Sequence, residues 1–198
     1  MSVSNDKIIV TALRSFRKRG IRSVKMDDIA HELGISKRTL YEAFRDKETL
    51  LEACCRKMSE DRQKFFGKIL KQTDNVLELI LHDLSYNLKE SQGVSMEFIH
   101  DLQSYDRIMQ AMNDRRETNM QKAVEILSLG VEQGVFRKDV DFKLFYEFTT
   151  KQFRFMTQDP ECQKLSLADI YKNVIVVYLR GCCTEKGLEL IENFKEKL

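Results

Sequence analysis

Apolar residues recur at intervals of three and four along almost the whole chain, and a single proline interrupts them in 198 residues. That interval is the repeat of an amphipathic helix, whereas a half-buried strand alternates every second residue. With so little proline the helical runs go unbroken, and Leu, Lys, Glu and Met fill them. An all-α protein is expected. With 42% hydrophobic and 32% charged residues, the chain can bury a core without disulfide or metal staples and falls outside collagen-like, low-complexity and disordered compositions. No window approaches the roughly 18 consecutive apolar residues of a membrane span, and the opening MSVSNDK lacks the apolar core of a signal peptide. A cytoplasmic protein with no membrane partner is the expectation, and its five cysteines read as reduced, buried residues.

Cap residues divide the chain. A first helix should run from about Asn5 to Arg19, with Ser4 or Asn5 as cap and Gly20 as its end. A short second helix carries Met26, Ile29, Ala30 and Leu33 and stops at Gly34, a natural left-handed C-cap. Ser36 caps a third helix through Phe44, and Asp46 opens a long fourth one reaching roughly Gln72. Three short helices therefore lead into a long one. The run VLELILHDLSYNL is a fifth helix, Ser95 to Ser104 a sixth, and Tyr105 to Gly134 holds one long seventh helix. After the loop GVFRKDVD, Asp141 caps an eighth helix to about Gln158, which Asp159-Pro160 closes. Ser166 and Asp169 form a capping box for a ninth helix to about Cys183, and Thr184 to Leu198 is a terminal helix. Two domains are expected, 1–47 and 48–198.

The net charge of +2 hides an asymmetry: residues 1–47 carry 11 Lys/Arg against six Asp/Glu, and the remainder sums to −3. A basic head on a mildly acidic body suits a head that meets a polyanion. Within the head, MDDIAHELGISKRTLYEAF meets the demands of two helices joined by a tight turn. Ala30 is small where the helices cross, Gly34 reverses the chain, and Ile29, Leu33, Ile35, Leu40 and Phe44 lock the pair. This is a helix-turn-helix, whose second helix enters the major groove of DNA. Its first turn presents Ser36, Lys37, Arg38 and Thr39, all able to donate hydrogen bonds to bases or phosphates.

The ordered set FRKRG, DDIAHELGIS, TLYEAF and DKETLL, spanning residues 6 to 52, resembles the tetracycline-repressor-like (TetR) transcriptional regulators. The resemblance implies a sequence-specific regulator of transcription. In most such proteins a repressor leaves a pseudo-palindromic double-stranded DNA operator when it binds a small molecule. Carried over by position, Lys37 and Arg38 fall where the family reads bases, Thr39 and Tyr41 where it touches phosphate and sugar, and Lys47 on its phosphate-binding lysine. Ser36 caps and can also touch DNA. Lys25 stands where the family often has a capping threonine, so the second helix is expected to be less well capped, with a phosphate contact as compensation; plain surface is the other reading.

For the body the resemblance implies a pocket for a small-molecule effector, enclosed by the fourth to eighth helices. Suitable lining residues are Phe65, Phe66, Ile69, Leu81, Tyr86 and Phe98, followed by Tyr105, Met109, Met112, Phe153 and Met156, each equally suited to ordinary core. Such a lining favours a hydrophobic or aromatic ligand, with His82 and His100 as polar tips. A DNA-tethered protein-recruiting or structural factor with no small-molecule ligand is the alternative.

Two late helices are apolar on too many sides for one core. Phe142 to Met156 carries one stripe through Phe145, Phe148 and Phe155 and another through Phe142, Tyr146, Phe153 and Met156, while Val174 to Leu179 is six consecutive apolar or aromatic residues. A homodimer joined as a four-helix bundle would cover them, with Phe145, Phe148, Phe155, Val174, Val177, Tyr178 and Gly181 at the interface. A central helix buried within a monomer is the other solution. No phosphate-cradling glycine loop, metal-spaced Cys/His cluster or serine elbow is present in the sequence, so no catalytic residue, metal or cofactor is expected.

Overall fold

The computed structural model describes residues 3–114, 116–159 and 161–195. Among them the chain forms twelve α-helices: α1 (Asn5–Arg19), α2 (Met26–Leu33), α3 (Lys37–Ala43), α4 (Lys47–Ile69), α5 (Val76–Ser91), α6 (Met96–Leu102), α7 (Asp106–Asn113), α8 (Arg116–Glu132), α9 (Phe142–Gln158), α10 (Leu167–Ile170), α11 (Val176–Cys182) and α12 (Glu185–Lys195). The only β feature among the described residues is an isolated antiparallel bridge between Phe136 and Cys183.

Helix starts follow the capping side chains. Ser4, Asn75, Ser95, Asp141 and Ser166 each accept a backbone N–H from the first turn of the helix that follows, satisfying donors that a helix start leaves without partners. Two stretches differ from the sequence expectation. The single helix expected over 105–134 is two, α7 and α8, with Asp114, a residue type that favours caps and turns over helix interiors, at the break. The ninth expected helix is α10 and α11 joined by a π-helical turn, Tyr171–Ile175. An extra residue in one turn rotates everything after it by about 100° around the axis. It therefore resets which side chains of α11 face inward.

The chain gathers into two compact units, the first comprising residues up to Phe65 together with Gly93–Gln110, and the second Phe66–Gln92 with the residues from Ala111 onward. The first unit is built around Phe16, Ile21, Ile29, Leu40, Leu50 and Phe98, all buried. Phe98 belongs to α6, which packs against α1, and the Ser95 N–H donates to the Arg17 carbonyl at 2.7 Å. Gly20 has φ 79°, and a Cβ there would come within 3.1 Å of Asp101 and Glu97 of α6. Glycine is needed on both counts.

The second unit packs Leu77, Leu81, Phe136, Phe142, Leu179 and Ile191 into its core. Phe136 meets Phe142 with ring centroids 5.6 Å apart, and the Thr184 N–H donates to the Val135 carbonyl at 3.1 Å. The cysteines are free thiols. Burial pushes Cys54 up to about 12 and Cys55 and Cys183 up to about 11. Thiols so desolvated hold little of the reactive thiolate form at neutral pH.

Gly187, in α12, lies where its helix crosses the 135–136 segment; an added Cβ would run into the Val135 carbonyl oxygen and the Cys183 side chain. Gly187→Ala should therefore destabilise the protein by about 1–3 kcal/mol through overpacking, despite alanine's better helix propensity. Urea unfolding followed by circular dichroism measures the difference.

Candidate nucleic-acid interface

The helix pair α2–α3 turns on Gly34, whose φ 65° and ψ 31° are left-handed. The Gly34 N–H donates to the Ala30 and His31 carbonyls in the last turn of α2, and the Ile35 N–H to the Ala30 carbonyl at 3.0 Å. Ser36 then accepts from the Thr39 N–H at 3.1 Å, with the two hydroxyls 2.8 Å apart. Leu40 points inward and is fully buried. The helical repeat consequently turns Lys37, Arg38 and Tyr41 outward, all exposed, with Thr39 half-buried beside them.

The start of α3 carries two cations and no acid, the opposite of what the positive end of a helix favours. Each cation has an acidic neighbour. The Lys37 ammonium pairs with the Asp27 carboxylate on α2, a hydrogen bond and a charge that raise its pKa. Arg38 donates through Nε to Glu42 at 2.8 Å. The Glu42 pairing is legible from the i, i+4 spacing. The Asp27 pairing is not, because it spans the turn between two helices.

At the start of α2, the Lys25 side chain makes no cap bond, but half of a capping box remains: the Asp28 carboxylate accepts from the Lys25 N–H at 2.8 Å. Glu32 ties α2 to α1, accepting from Ser15 at 2.8 Å and from Arg14. Its pKa is lowered first by the Ser15 hydroxyl and then by Arg14.

Lys47 and Asp101 hold the loop that leads into α2. The half-buried Lys47 ammonium donates to the Val24 carbonyl at 2.8 Å and reaches the Arg22 carbonyl at 3.5 Å. Desolvation lowers its pKa, opposed by the negative charges of Asp101 and Asp28. An ammonium has three N–H donors, and these two contacts engage two of them. Asp101, buried in α6, accepts from the Arg22 N–H at 2.8 Å, and the Arg22 guanidinium reaches Ser104 at 2.7 Å. Sequence reasoning missed Asp101 because no local pattern links it to a loop 79 positions away.

The expected pocket residues divide between the units. Phe98 is core of the first, Tyr105 packs against that core, and Phe65 and Met109 belong to the same unit. Leu81 is core of the second; Ile69 is buried there too, and Phe66, Tyr86, Phe153 and Met156 are half-buried in it. The Met112 side chain lies outside the described residues. His82 stands edge-on to Phe194, with centroids 4.9 Å apart.

Of the residues expected at a dimer contact, Phe148, Phe155 and Val177 are 55%, 65% and 57% exposed, and Leu144 joins them at 64%. Gly181 is exposed and Val174 half-buried. Phe145 turns the other way, its ring packing on Phe142 and Tyr178, and the Tyr178 hydroxyl donates to Gln152 at 2.8 Å. Large apolar side chains on α9 and α11 thus stand in solvent.

Residues 8–54 match the family described as "Bacterial regulatory proteins, tetR family". Over 148 residues the chain is 28% identical to the HTH-type transcriptional repressor KstR2 of Mycobacterium tuberculosis, covering 72% of this chain and 74% of the repressor. Among solved structures, the ketosteroid transcriptional regulator KstR2 of M. tuberculosis superimposes with a TM-score of 0.65 at 21% identity, covering 93% of this chain and 97% of that one. The fatty acid degradation regulator FadR of Bacillus halodurans gives 0.59 at 20% identity, covering 88% and 94%.

Asp46 fixes the corner between α3 and α4. It accepts the Thr49 N–H and hydroxyl, both at 2.8 Å, and these bonds, followed by Arg45, lower its pKa to about 2. A carboxylate depressed in the folded state contributes stability that is complete above its unfolded pKa and is lost as pH falls toward the folded one. Asp46→Ala should therefore melt lower than the parent at neutral pH. In thermal melts across acid pH the gap should stay constant down to about pH 5 and narrow from about pH 4 to about pH 2.

Proposed function

We propose that the chain, whose residues 8–54 match the tetR family, is a DNA-binding transcriptional regulator of that family: a cytoplasmic homodimeric repressor, released from a pseudo-palindromic operator by a small hydrophobic or aromatic molecule. The observation that carries the DNA reading is the outward surface of α3, where Lys37, Arg38 and Tyr41 are exposed above a buried Leu40. Arg38 has the paired donors that match O6 and N7 of guanine, and Lys37 can reach a neighbouring acceptor. Ser36, Thr39 and Tyr41 fit sugar and phosphate contacts, while Lys25 and Lys47 flank them as phosphate anchors.

Dimerisation rests on Leu144, Phe148, Phe155 and Val177, apolar residues whose exposure in a single chain calls for a cover. A second copy supplies the same surface in return, making a self-complementary contact between α9 and α11 and their mates. Two heads then reach half-sites about one helical turn, or roughly 34 Å, apart.

An apolar effector is supported by the phenylalanine-rich second unit. The names of two similar proteins, a ketosteroid regulator and a fatty acid degradation regulator, point the same way. The link to DNA is α4, whose first residue is Lys47 and whose last residues belong to the second unit. A ligand that favours one course of α4 by about 1–3 kcal/mol changes operator affinity about 5- to 150-fold.

Selection of bound sites from random duplex DNA, followed by anisotropy titrations, tests this reading. Arg38→Ala should lose about 1–3 kcal/mol of discrimination at one base pair of each half-site. Lys47→Met should weaken all sequences alike and make the salt dependence shallower by about one unit. Phe148→Asp should sediment as a monomer and bind the operator no better than an isolated half-site.

A further inference from the structure

The charges on the DNA-facing surface are not all of one sign. Lys37 opens α3, and its ammonium reaches back ten positions to Asp27, in the first turn of α2. The cap bond to the Lys25 N–H is made by its neighbour Asp28, so Asp27 is not the capping acid of α2. The pair also lies in the open, with side-chain exposures of 67% for Lys37 and 47% for Asp27. An exposed pair contributes little to folding. Its position, on the surface that the proposed function turns toward DNA, is what gives it consequence.

A phosphate and a guanine edge present different electrostatics to this pair. Phosphate brings a full negative charge to the Lys37 ammonium and so sets it beside the Asp27 carboxylate, a like-charge contact. The O6 and N7 acceptors of guanine are uncharged. With three donors, the ammonium can keep one N–H on Asp27 and give another to the base. A group that taxes the wrong contact more than the right one raises specificity without adding affinity.

We propose that Asp27 is a specificity-determining residue: it holds Lys37 back from the phosphates of non-cognate duplexes and tolerates its contact with a base edge. It acts through Lys37 and is thus a positioning residue. The proposal rests on the reading that α3 enters the major groove. It does not extend to Glu42, whose pairing with Arg38 within one helix is a common surface arrangement.

The test uses the full chain, one random-sequence duplex and one duplex recovered by selection, titrated over a range of salt. Asp27→Asn should tighten binding to the random duplex about three- to ten-fold and steepen its salt dependence by up to about one unit, as a freed cation would. The selected duplex should change less, so the ratio of the two affinities falls. Asp27→Glu, which keeps the charge, should retain most of the parental ratio. In a Lys37→Met background, Asp27→Asn should have a much smaller effect.

An unchanged or increased ratio for Asp27→Asn overturns the proposal. So does equal weakening on both duplexes with a lowered melting temperature, the mark of a merely structural acid. In either case the groove reading stands if Arg38→Ala still relaxes the selected site. If the parent binds no duplex, that reading fails and this proposal falls with it.

Discussion

A helix of seven residues is not stable alone in water. Isolated helices shorter than about 12–15 residues are marginal, yet α3 spans seven residues and α2 eight. They exist because Leu40 and Ile29 are buried in a shared core with Phe16, Leu50 and Phe98, and because Gly34 and Ser36 satisfy the backbone at the turn. The loop before α2 needs the same support, since buried backbone groups without partners are costly. Lys47 holds its carbonyls and Asp101 its Arg22 N–H. The placement of α2 and α3 therefore depends on a carboxylate from α6, far along the chain.

Local chemistry explains what could be read from the sequence. The ends of α1, α2 and α3 were legible because Ser4, Gly20, Gly34 and Ser36 act on backbone groups within a few residues of themselves. Asp46 and Asp141 worked in the same way for α4 and α9. The break between α7 and α8 was not legible: it falls in a run of seven polar residues, 113–119, with no glycine or proline to mark a helix end. Nor was the π-helical turn at Tyr171–Ile175, which has no spacing signature of its own.

The site shows the same division. That Lys37, Arg38 and Tyr41 are exposed follows from Leu40 being buried, and a helical wheel suffices to see it. The pairing of Lys37 with Asp27, and of Arg22 with Asp101, depends on how helices pack and has no trace in spacing. Phe145 and Phe148 show the limit most simply. Both belong to apolar stripes of α9, and only the packing against Phe142 and Tyr178 decides that Phe145 turns inward while Phe148 stays in solvent. Phe98, suited by sequence to a pocket wall or to ordinary core, is buried in the core of the unit that carries α3.

The proposed function requires two copies of α3 at a fixed separation, supplied by two copies of the chain. The direct measurement is the affinity of the unmodified protein for its selected operator with roughly 5 base pairs, half a helical turn, inserted between the half-sites. The account predicts that affinity drops to that of a single half-site, because the second head then faces the wrong side of the duplex. Affinity that is indifferent to the insertion would contradict it.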